Sequence, residues 1–204
     1  MIYRLFDLIF LFILVPLFLP LLFLIYIYLY FTIGKPVFFI QNRSGYKGKS
    51  FIMYKFRTMS VIKKQKRDAI KKIIQTDRER VLKSTKFLRK TRLDEIPQLY
   101  NVLKNEISFV GPRPLLLEYN NLYSSKQKKR LTVKPGITGW SQIKGGNLIS
   151  WKKKFELDLW YIENKSIYLY LKIILLTFVY FVNRIFNNKF EEEIYMHKKF
   201  NGKN

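Results

Sequence analysis

An almost uncharged amino-terminal segment is the strongest constraint on what this chain can fold into. Residues 8–33 form the uninterrupted apolar run LIFLFILVPLFLPLLFLIYIYLYFTI. The run exceeds the roughly 20 residues that a helix needs to cross a bilayer. A cleaved signal peptide is shorter and ends in small residues, whereas the only alanine in the chain is Ala69. We therefore predict that residues 1–34 are retained as a membrane helix.

Two prolines, Pro16 and Pro20, fall near the middle of this run. Each removes a backbone donor and kinks a helix, which hydrocarbon tolerates only if the freed carbonyls find other partners. The Lys/Arg-rich remainder predicts that the rest of the chain is cytoplasmic. A straight helix would place Arg4 and Asp7 on the far side of the membrane, whereas a re-entrant helix would keep both of its ends on the cytoplasmic face. The residues alone leave both courses open.

The net charge of +24 arises entirely from Lys35 onward, because Arg4 and Asp7 cancel. Such an excess attracts anionic lipid headgroups, phosphorylated ligands or nucleic acid. The chain has no cysteine and a single histidine, His197, which excludes disulfides, thiol catalysis and histidine triads. Chemistry must therefore depend on carboxylates, lysines, tyrosines or hydroxyls. Residues 191–204 read as a charged tail, and His197 is more simply a solvated side chain than a catalytic one.

Between these ends, residues 35–190 predict one α+β domain that is mainly helical. Residues 36–59 place two β-favouring runs around SGYKGK, which is typical of a hairpin. Residues 60–90 hold twelve Lys/Arg against three acids, with apolar residues at near-helical spacing. This indicates a basic amphipathic helix on an anionic surface, or a solvated loop. Residues 166–182 resemble a second membrane helix, but Lys172 favours a helix in the interface or packed on the domain.

Two adjacent carboxylates, Asp94 and Glu95, follow the cations Arg89 and Arg92. Because Pro97 is tolerated only in a first helical turn, the pair should lie at or beside an N-cap. The helix dipole and the cations favour an ionised carboxylate, which suits a nucleophile or a Mg²⁺ ligand. Taken alone, such a pair is more often an ordinary cap with surface salt bridges.

Phosphate chemistry also needs cations at fixed positions. Arg113 lies between Pro112 and Pro114, and its guanidinium can bind phosphate oxygens with two donors. A rigid structural turn would explain the same residues equally well. Lys55 and Arg57 are two residues apart at a predicted strand end, so they should project to one face. Each of them alone is most simply a solvated charge.

Five stretches, in this order, resemble the monotopic phosphoglycosyl transferases, the bacterial sugar transferases that begin glycan assembly on undecaprenyl phosphate. The combination of KFRTM, LDE-PQL-NVL and VGPRP is specific to that family, although no single one of these motifs would be. The matching stretches are RLFDLI (4–9), KPVFFIQNRSGYKGKSFIMYKFRTM (35–59), FLRKTRLDEIPQLYNVLKNEISFVGPRP (87–114), VKPGITGWSQIKGGN (133–147) and SWKKKFELDLWYIENKSI (150–167).

The resemblance implies a re-entrant amino-terminal helix, broken at its proline, at the cytoplasmic face of the bacterial inner membrane. It implies that Asp94 attacks the sugar-bearing phosphate of a UDP-sugar, expels UMP and becomes a phosphosugar-enzyme. Polyprenyl phosphate then accepts the phosphosugar. Mg²⁺ is implied as cofactor, with Asp94 among its contacts, and Glu95 as partner of the dyad. Lys55, Arg89 and Arg113 match positions that line the phosphate site. Anionic lipids and downstream glycosyltransferases are the further partners expected, and nucleic acid is not.

The chain departs from the family pattern at three places. Val15-Pro16, with Pro20 added, replaces the frequent Ser-Pro at the helix break. Residues 145–147 read GGN where GRN is common, so Gly146 replaces an arginine near the donor and Lys144 is the nearest cation that could compensate. Residues 78–81 read RERV in place of an acidic DPR run. The dyad and Arg113 are unaffected.

Three other functions fit parts of the sequence. A membrane-tethered basic adaptor would bind lipid or nucleic acid without catalysis, but it would not need the carboxylate dyad. A degenerate family member would bind substrates without turnover, and a soluble-type glycosyltransferase would release UDP in place of UMP. The sequence does not specify the transferred sugar, the glycan pathway or the oligomeric state.

Overall fold

The computed structural model describes residues 2–60, 80–186 and 200–202. The predicted basic helix falls mainly on residues 61–79, outside the described residues, as does most of the tail with His197. The described α-helices and β-strands are α1 (Ile2–Ile33), β1 (Phe38–Ser44), β2 (Ser50–Phe56), α2 (Lys86–Lys90), α3 (Leu99–Leu103), β3 (Ser108–Val110), α4 (Ser125–Lys128), β4 (Gly136–Thr138), α5 (Trp140–Ile143), α6 (Trp151–Glu163) and α7 (Ile167–Phe186). Short 3₁₀ helices lie at Tyr46–Gly48, Lys83–Thr85, Leu93–Gln98, Leu117–Asn121, Lys129–Thr132 and Gly146–Leu148. The predicted mainly helical architecture with a small antiparallel sheet is confirmed.

The first helix, α1, continues through Pro16 and Pro20 without interruption. Within the described residues it is the one helix long and apolar enough to cross a membrane. Its 32 residues correspond to about 48 Å at 1.5 Å per residue, which is longer than the roughly 30 Å hydrocarbon core of a bilayer. The proline positions therefore do not end the helix, and its re-entrant course stays a prediction.

The amino-terminal end of α1 is fixed to the domain by polar contacts. The buried carboxylate of Asp7 accepts hydrogen bonds from the Ser108 hydroxyl at 2.8 Å, the Phe109 amide at 2.9 Å and the Tyr170 hydroxyl at 2.8 Å. Arg4 donates to two carbonyls at the end of α3, at 2.6 and 2.9 Å. These contacts join three distant parts of the sequence.

The carboxyl-terminal end of α1 packs against the same domain. Ile25 and Leu29 are buried in a cluster with Val37, Phe56 and Leu88. Much of the remaining α1 surface is apolar and exposed. The large exposed side chains of α1 are Ile2, Leu5, Leu8, Ile9, Phe12, Ile13, Val15, Leu17, Leu19, Phe23, Leu24, Tyr26, Ile27, Tyr28, Tyr30 and Phe31. A contiguous apolar surface of this extent indicates contact with a membrane or another protein.

The predicted hairpin is confirmed. Strands β1 and β2 pair antiparallel, with Ser44 opposite Ser50 next to the turn. The turn needs left-handed backbone, and Lys47 (φ 55°) and Gly48 (φ 74°) supply it. The alternation of the strand pattern places Phe51 and Met53 in the main core.

A second, parallel pair of short strands holds the GPRP turn. Strand β3 pairs with β4, and the Gly111 amide continues the pairing by donating to the Thr138 carbonyl at 2.9 Å. A Cβ atom at Gly111 would lie 2.4 Å from the Lys134 carbonyl oxygen, so only glycine permits this backbone approach. Arg113 therefore projects from a turn whose backbone is held against the KPGITGW segment.

The last described helix, α7, packs on the domain through Leu169, Tyr170 and Ile173. On its other face Leu175 and Phe178 are exposed. A shorter apolar segment of α7 does not reach the length required of a membrane span. Packing on the domain agrees with one of the predicted alternatives, and an interfacial position of α7 stays a prediction.

The carboxyl-terminal tail is not wholly solvated. Phe200 is 3% exposed and lies in an aromatic cluster with Tyr119, Tyr123, Trp151 and Phe155. The remaining tail residues outside 200–202 are not described.

Candidate active site

The carboxylate dyad lies in the first turn of a 3₁₀ helix, Leu93–Gln98. Arg92 occupies the N-cap with left-handed backbone (φ 57°), which redirects the chain after α2. Pro97 lies inside the 3₁₀ helix, and regular α-helix begins at Leu99. Asp94 and Glu95 are the second and third residues after the N-cap, so the predicted helix start is confirmed, although Leu93 separates Asp94 from the cap and the turn is tighter than an α-helical one.

Glu95 is the centre of a set of ion pairs. Its Oε1 atom accepts from Lys55 Nζ at 2.6 Å, from Arg113 Nη2 at 3.2 Å and from Arg92 Nη1 at 3.4 Å. Burial alone would raise the pKa of Glu95, but Lys55, Arg113 and Arg92 together hold it well below its usual range. Glu95 is therefore ionised, and it binds Lys55 and Arg113, which are far apart in the sequence.

Asp94 has a different environment although it is the neighbouring residue. It is 8% exposed, and its carboxylate has no hydrogen bond or ion pair within residues 2–60, 80–186 and 200–202. Burial, followed by the charge of Glu95, raises the pKa of Asp94 to about 6, against the opposing effect of nearby cations. The sequence predicts an ionised carboxylate here, and burial, which outweighs the cations, moves its pKa toward neutrality without reversing that state at pH 7. At pH 7 about nine-tenths of Asp94 is still ionised.

The other predicted cations divide into two groups. Lys55 and Arg113 meet at Glu95, and the charge of Arg89 acts on Asp94. Arg57 lies elsewhere: its Nε donates to the Pro36 carbonyl at 2.6 Å, and its Nη2 donates to two carbonyls at the end of α1, at 2.7 and 2.8 Å. Arg57 ties the hairpin to α1, so we leave it out of the phosphate site.

A buried ion pair between Arg130 and Asp158, which the sequence did not reveal, contacts the backbone of Arg113. Arg130 Nη2 donates to the Arg113 carbonyl at 2.7 Å and to Asp158 Oδ2 at 3.0 Å. Ser141 donates to the other carboxylate oxygen of Asp158 at 2.6 Å. An available signal was that Asp158, one of five aspartates, stands in the otherwise apolar run LDLWY.

Gly146, at the position of the family arginine, begins the 3₁₀ helix Gly146–Leu148 and has φ 52°. Lys144, the cation that could compensate, has its ammonium 4.8 Å from the centre of the Trp140 ring, which itself stacks on Trp160. Compensation by Lys144 for the missing arginine stays a prediction.

Magnesium is the metal that the resemblance implies. In the part of the chain that is described, no three His, Cys, Asp or Glu side chains converge. Mg²⁺ in phosphate-transfer sites usually takes one or two carboxylates and completes its shell with water and substrate phosphates. The Asp94 carboxylate, which has no hydrogen bond among the described residues, could supply one such ligand, whereas Glu95 Oε1 is already occupied by three cations.

Comparison with known proteins points to one family. A family profile described as bacterial sugar transferase matches residues 1–184. The chain is 54% identical over 145 residues to the uncharacterized sugar transferase EpsL of Bacillus subtilis, covering 71% of this chain and 69% of EpsL. It is 45% identical over 153 residues to the galactosyl transferase CpsE of Streptococcus agalactiae, covering 71% of this chain and 34% of CpsE.

A third relative is the UDP-glucose:undecaprenyl-phosphate glucose-1-phosphate transferase of Escherichia coli, 42% identical over 158 residues that cover 73% of this chain. The chain spans only 33% of that protein and 34% of CpsE. The match to the family profile nevertheless includes α1, the dyad and the GPRP turn. The chain therefore belongs to the bacterial sugar transferase family.

Proposed function

We propose that this protein transfers a sugar 1-phosphate from a UDP-sugar to polyprenyl (undecaprenyl) phosphate and releases UMP. The observation that carries the proposal is the contrast within the dyad. Asp94 is ionised near neutral pH and has no hydrogen bond among the described residues, whereas Glu95 binds three cations beside it. A free carboxylate within a cationic site suits nucleophilic attack on a phosphate.

The reaction proceeds in two displacements. An oxygen of Asp94 forms a bond to the sugar-bearing phosphorus, and the bond from that phosphorus to the bridging oxygen breaks, so that its electron pair leaves with UMP. A phosphate oxygen of the polyprenyl acceptor then attacks the same phosphorus. The Asp94–phosphorus bond breaks, which regenerates the carboxylate and yields a polyprenyl diphosphosugar.

The cations gathered at Glu95 supply the electrostatic part of catalysis. Lys55 and Arg113 stand at fixed positions where charge develops on phosphoryl oxygens, so they need no reorganisation during the reaction. Arg89 adds positive charge on the Asp94 side. A magnesium ion bound by Asp94 and the donor phosphates would neutralise further negative charge.

The same fold supports placement in one membrane leaflet, at the cytoplasmic face of the inner membrane. Both ends of α1 contact one domain, through Asp7 at one end and Leu29 at the other. Since one domain cannot lie on both sides of a bilayer, this favours the re-entrant course over a straight span. A water-insoluble acceptor and a soluble donor then meet at the headgroup plane, where the basic surface also attracts anionic lipids.

The test is a panel of UDP-sugars incubated with the protein in lipid nanodiscs, Mg²⁺ and polyprenyl phosphate. We expect UMP with at least one donor, and a phosphosugar adduct on Asp94 in intact-protein mass spectra when the acceptor is omitted. Release of UDP would instead establish a soluble-type glycosyltransferase. Binding without release of any nucleotide would establish a degenerate member or an adaptor.

A further inference from the structure

Two cations outside the dyad, Arg43 and Lys154, lie on segments that hydrogen bonds link to the GPRP turn and the residue after it. Arg43 lies near the end of β1, opposite Phe51 of β2. Arg43 and Phe51 are cross-strand partners, so their side chains lie on the same face of the hairpin. Lys55 is four residues after Phe51 on β2, so it lies on that face too, where it contacts Glu95.

The neighbouring backbone fixes Arg43 next to the GPRP turn. Arg43 forms an isolated bridge with Leu116, and the adjacent Ser44 amide donates to the Leu115 carbonyl at 3.0 Å. Leu115 follows the GPRP turn directly in the sequence. Arg43 and Arg113 are therefore held by paired segments.

The guanidinium of Arg43 is only partly satisfied. Its Nη2 donates to Gln41 Oε1 at 2.7 Å, but its buried Nε has no hydrogen-bond partner among the described residues. Burial, followed by the charge of Arg113, lowers the pKa of Arg43 to about 10, with Glu95 as a partial offset. A buried donor without a partner is unfavourable unless a ligand supplies the acceptor.

Lys154 lies one helical turn before Asp158 on α6, and Arg130 joins Asp158 to the Arg113 carbonyl. Its ammonium lies 4.5 Å from the centre of the Trp151 ring and forms no ion pair in the described part of the chain. Burial, followed by the charge of Arg113, lowers the pKa of Lys154 to about 8. The nearby Asp158 offsets this effect only in part, because it is already bonded to Arg130 and Ser141.

Negative charge is thus scarce around Arg113. Glu95 is the acidic side chain in contact with it, and that carboxylate also serves Lys55 and Arg92. Hydrogen bonds from several cations to one phosphate are strong, and a phosphate would satisfy the free Nε of Arg43.

We propose that Arg43 and Lys154 form, with Arg113, a subsite for the nucleotide-side phosphate of the donor, the group that departs as UMP. This assignment rests on the proposed function, because it divides the donor diphosphate between two sets of residues. Asp94, Lys55 and Arg89 face the sugar-bearing phosphate, and the subsite takes the phosphate on which charge accumulates as the bridging bond breaks.

The test measures UMP binding by calorimetry on the chain in lipid nanodiscs, so that turnover is not required. Arg43→Gln and Lys154→Gln are each expected to raise the UMP dissociation constant about tenfold or more, as expected for the loss of one charge-assisted hydrogen bond. Lys49→Gln in the same hairpin and Lys152→Gln on the same helix remove matched exposed charges, and both should bind UMP within about twofold of wild type. Arg43→Lys keeps the charge and should recover part of the affinity, which separates charge loss from misfolding.

The outcomes distinguish this subsite from the proposed reaction. UMP affinity unchanged in both glutamine variants would overturn the subsite. Loss of affinity for polyprenyl phosphate with UMP binding intact would also overturn it, since the cations would then serve the lipid phosphate. Weakened UMP binding in the variants, together with no turnover by wild type on any UDP-sugar, would uphold the subsite and reject the proposed transfer.

Discussion

Two buried aspartates, Asp7 near the start of α1 and Asp94 of the dyad, differ in their hydrogen-bond partners. Asp7 is 2% exposed and accepts three hydrogen bonds, from a serine hydroxyl, a tyrosine hydroxyl and a backbone amide. Asp94 is 8% exposed and accepts none among the described residues. A carboxylate whose hydrogen bonds are satisfied stabilises the fold, whereas one without hydrogen-bond donors stays available for chemistry.

Glu95 explains how Asp94 can stay unbonded in a site rich in cations. Three cations bind the Oε1 atom of Glu95, so they are fixed near Asp94 without pairing with it. Sequence position alone does not separate the two residues of the dyad. Their partners distinguish them, because Glu95 pairs with three cations and Asp94 has no hydrogen bond among the described residues. The lack of hydrogen bonds also distinguishes Asp94 from Asp7.

The largest expected effect is that of Asp94→Asn. Turnover should fall about 10⁴-fold or more, because the variant lacks the attacking oxygen charge while its shape is kept. The fold should be at least as stable as wild type at pH 7. Because the pKa of Asp94 is raised in the folded state, its ionised carboxylate destabilises the fold. This loss of stability develops as pH rises from about 3.9, the unfolded value, to about 6. Asparagine carries no charge and avoids the loss. UMP release and thermal unfolding in the same nanodiscs measure both effects.

Asp7→Ala should have the opposite profile. It leaves three donors buried without an acceptor, which should lower the free energy of unfolding by about 3 kcal/mol. Activity per folded molecule should stay within about tenfold of wild type, because Asp7 contacts no residue of the dyad. Chemical unfolding and active-site titration measure the two quantities. A stable but inactive Asp7→Ala protein would break the contrast between the two aspartates.

Glu95→Gln tests the coupling inside the dyad. In wild type, the rate should fall tenfold per pH unit below about 6, because the protonated Asp94 is not nucleophilic. Removing the Glu95 charge should move this acid limb to lower pH, since that charge helps to raise the pKa of Asp94. The rate at pH 7 should fall about 10- to 100-fold as the cations lose their shared partner. The profile of kcat/KM against pH measures both, and an unmoved limb would contradict the coupling.

Local patterns predicted the elements, but not the environments of their side chains. The turn residues of SGYKGK gave the hairpin, and Pro97 gave the position of the dyad, because both signals act within a few residues. Asp7 meets Tyr170 across 163 positions, and no local pattern encodes such a contact. The backbone contacts of Arg57 were not predicted for a related reason: it follows Phe56, the last residue of β2, so the strand alternation that places Lys55 no longer applies to it.

The burial of Phe200 and of Asp94 was not apparent from the sequence. Lysines surround Phe200 in the sequence, yet its ring lies among Tyr119, Trp151 and other aromatic side chains. For Asp94, the cations visible in the sequence favour the ionised form. The fold buries this carboxylate beside the charge of Glu95, and these two effects raise its pKa to about 6 against the nearby cations.

The smallest expected effect comes from Ser108→Ala, which removes one of the three donors to Asp7 and leaves the Phe109 amide and the Tyr170 hydroxyl. The free energy of unfolding should fall by about 1 kcal/mol, with the acid limb unchanged. Combined with Asp94→Asn, its effect on stability should add to within about 0.5 kcal/mol, because the two aspartates share no partner. A larger deviation in unfolding measurements on the two single variants and the double variant would mean that the docked end of α1 and the dyad are energetically coupled, through β3 and the GPRP turn that follows it.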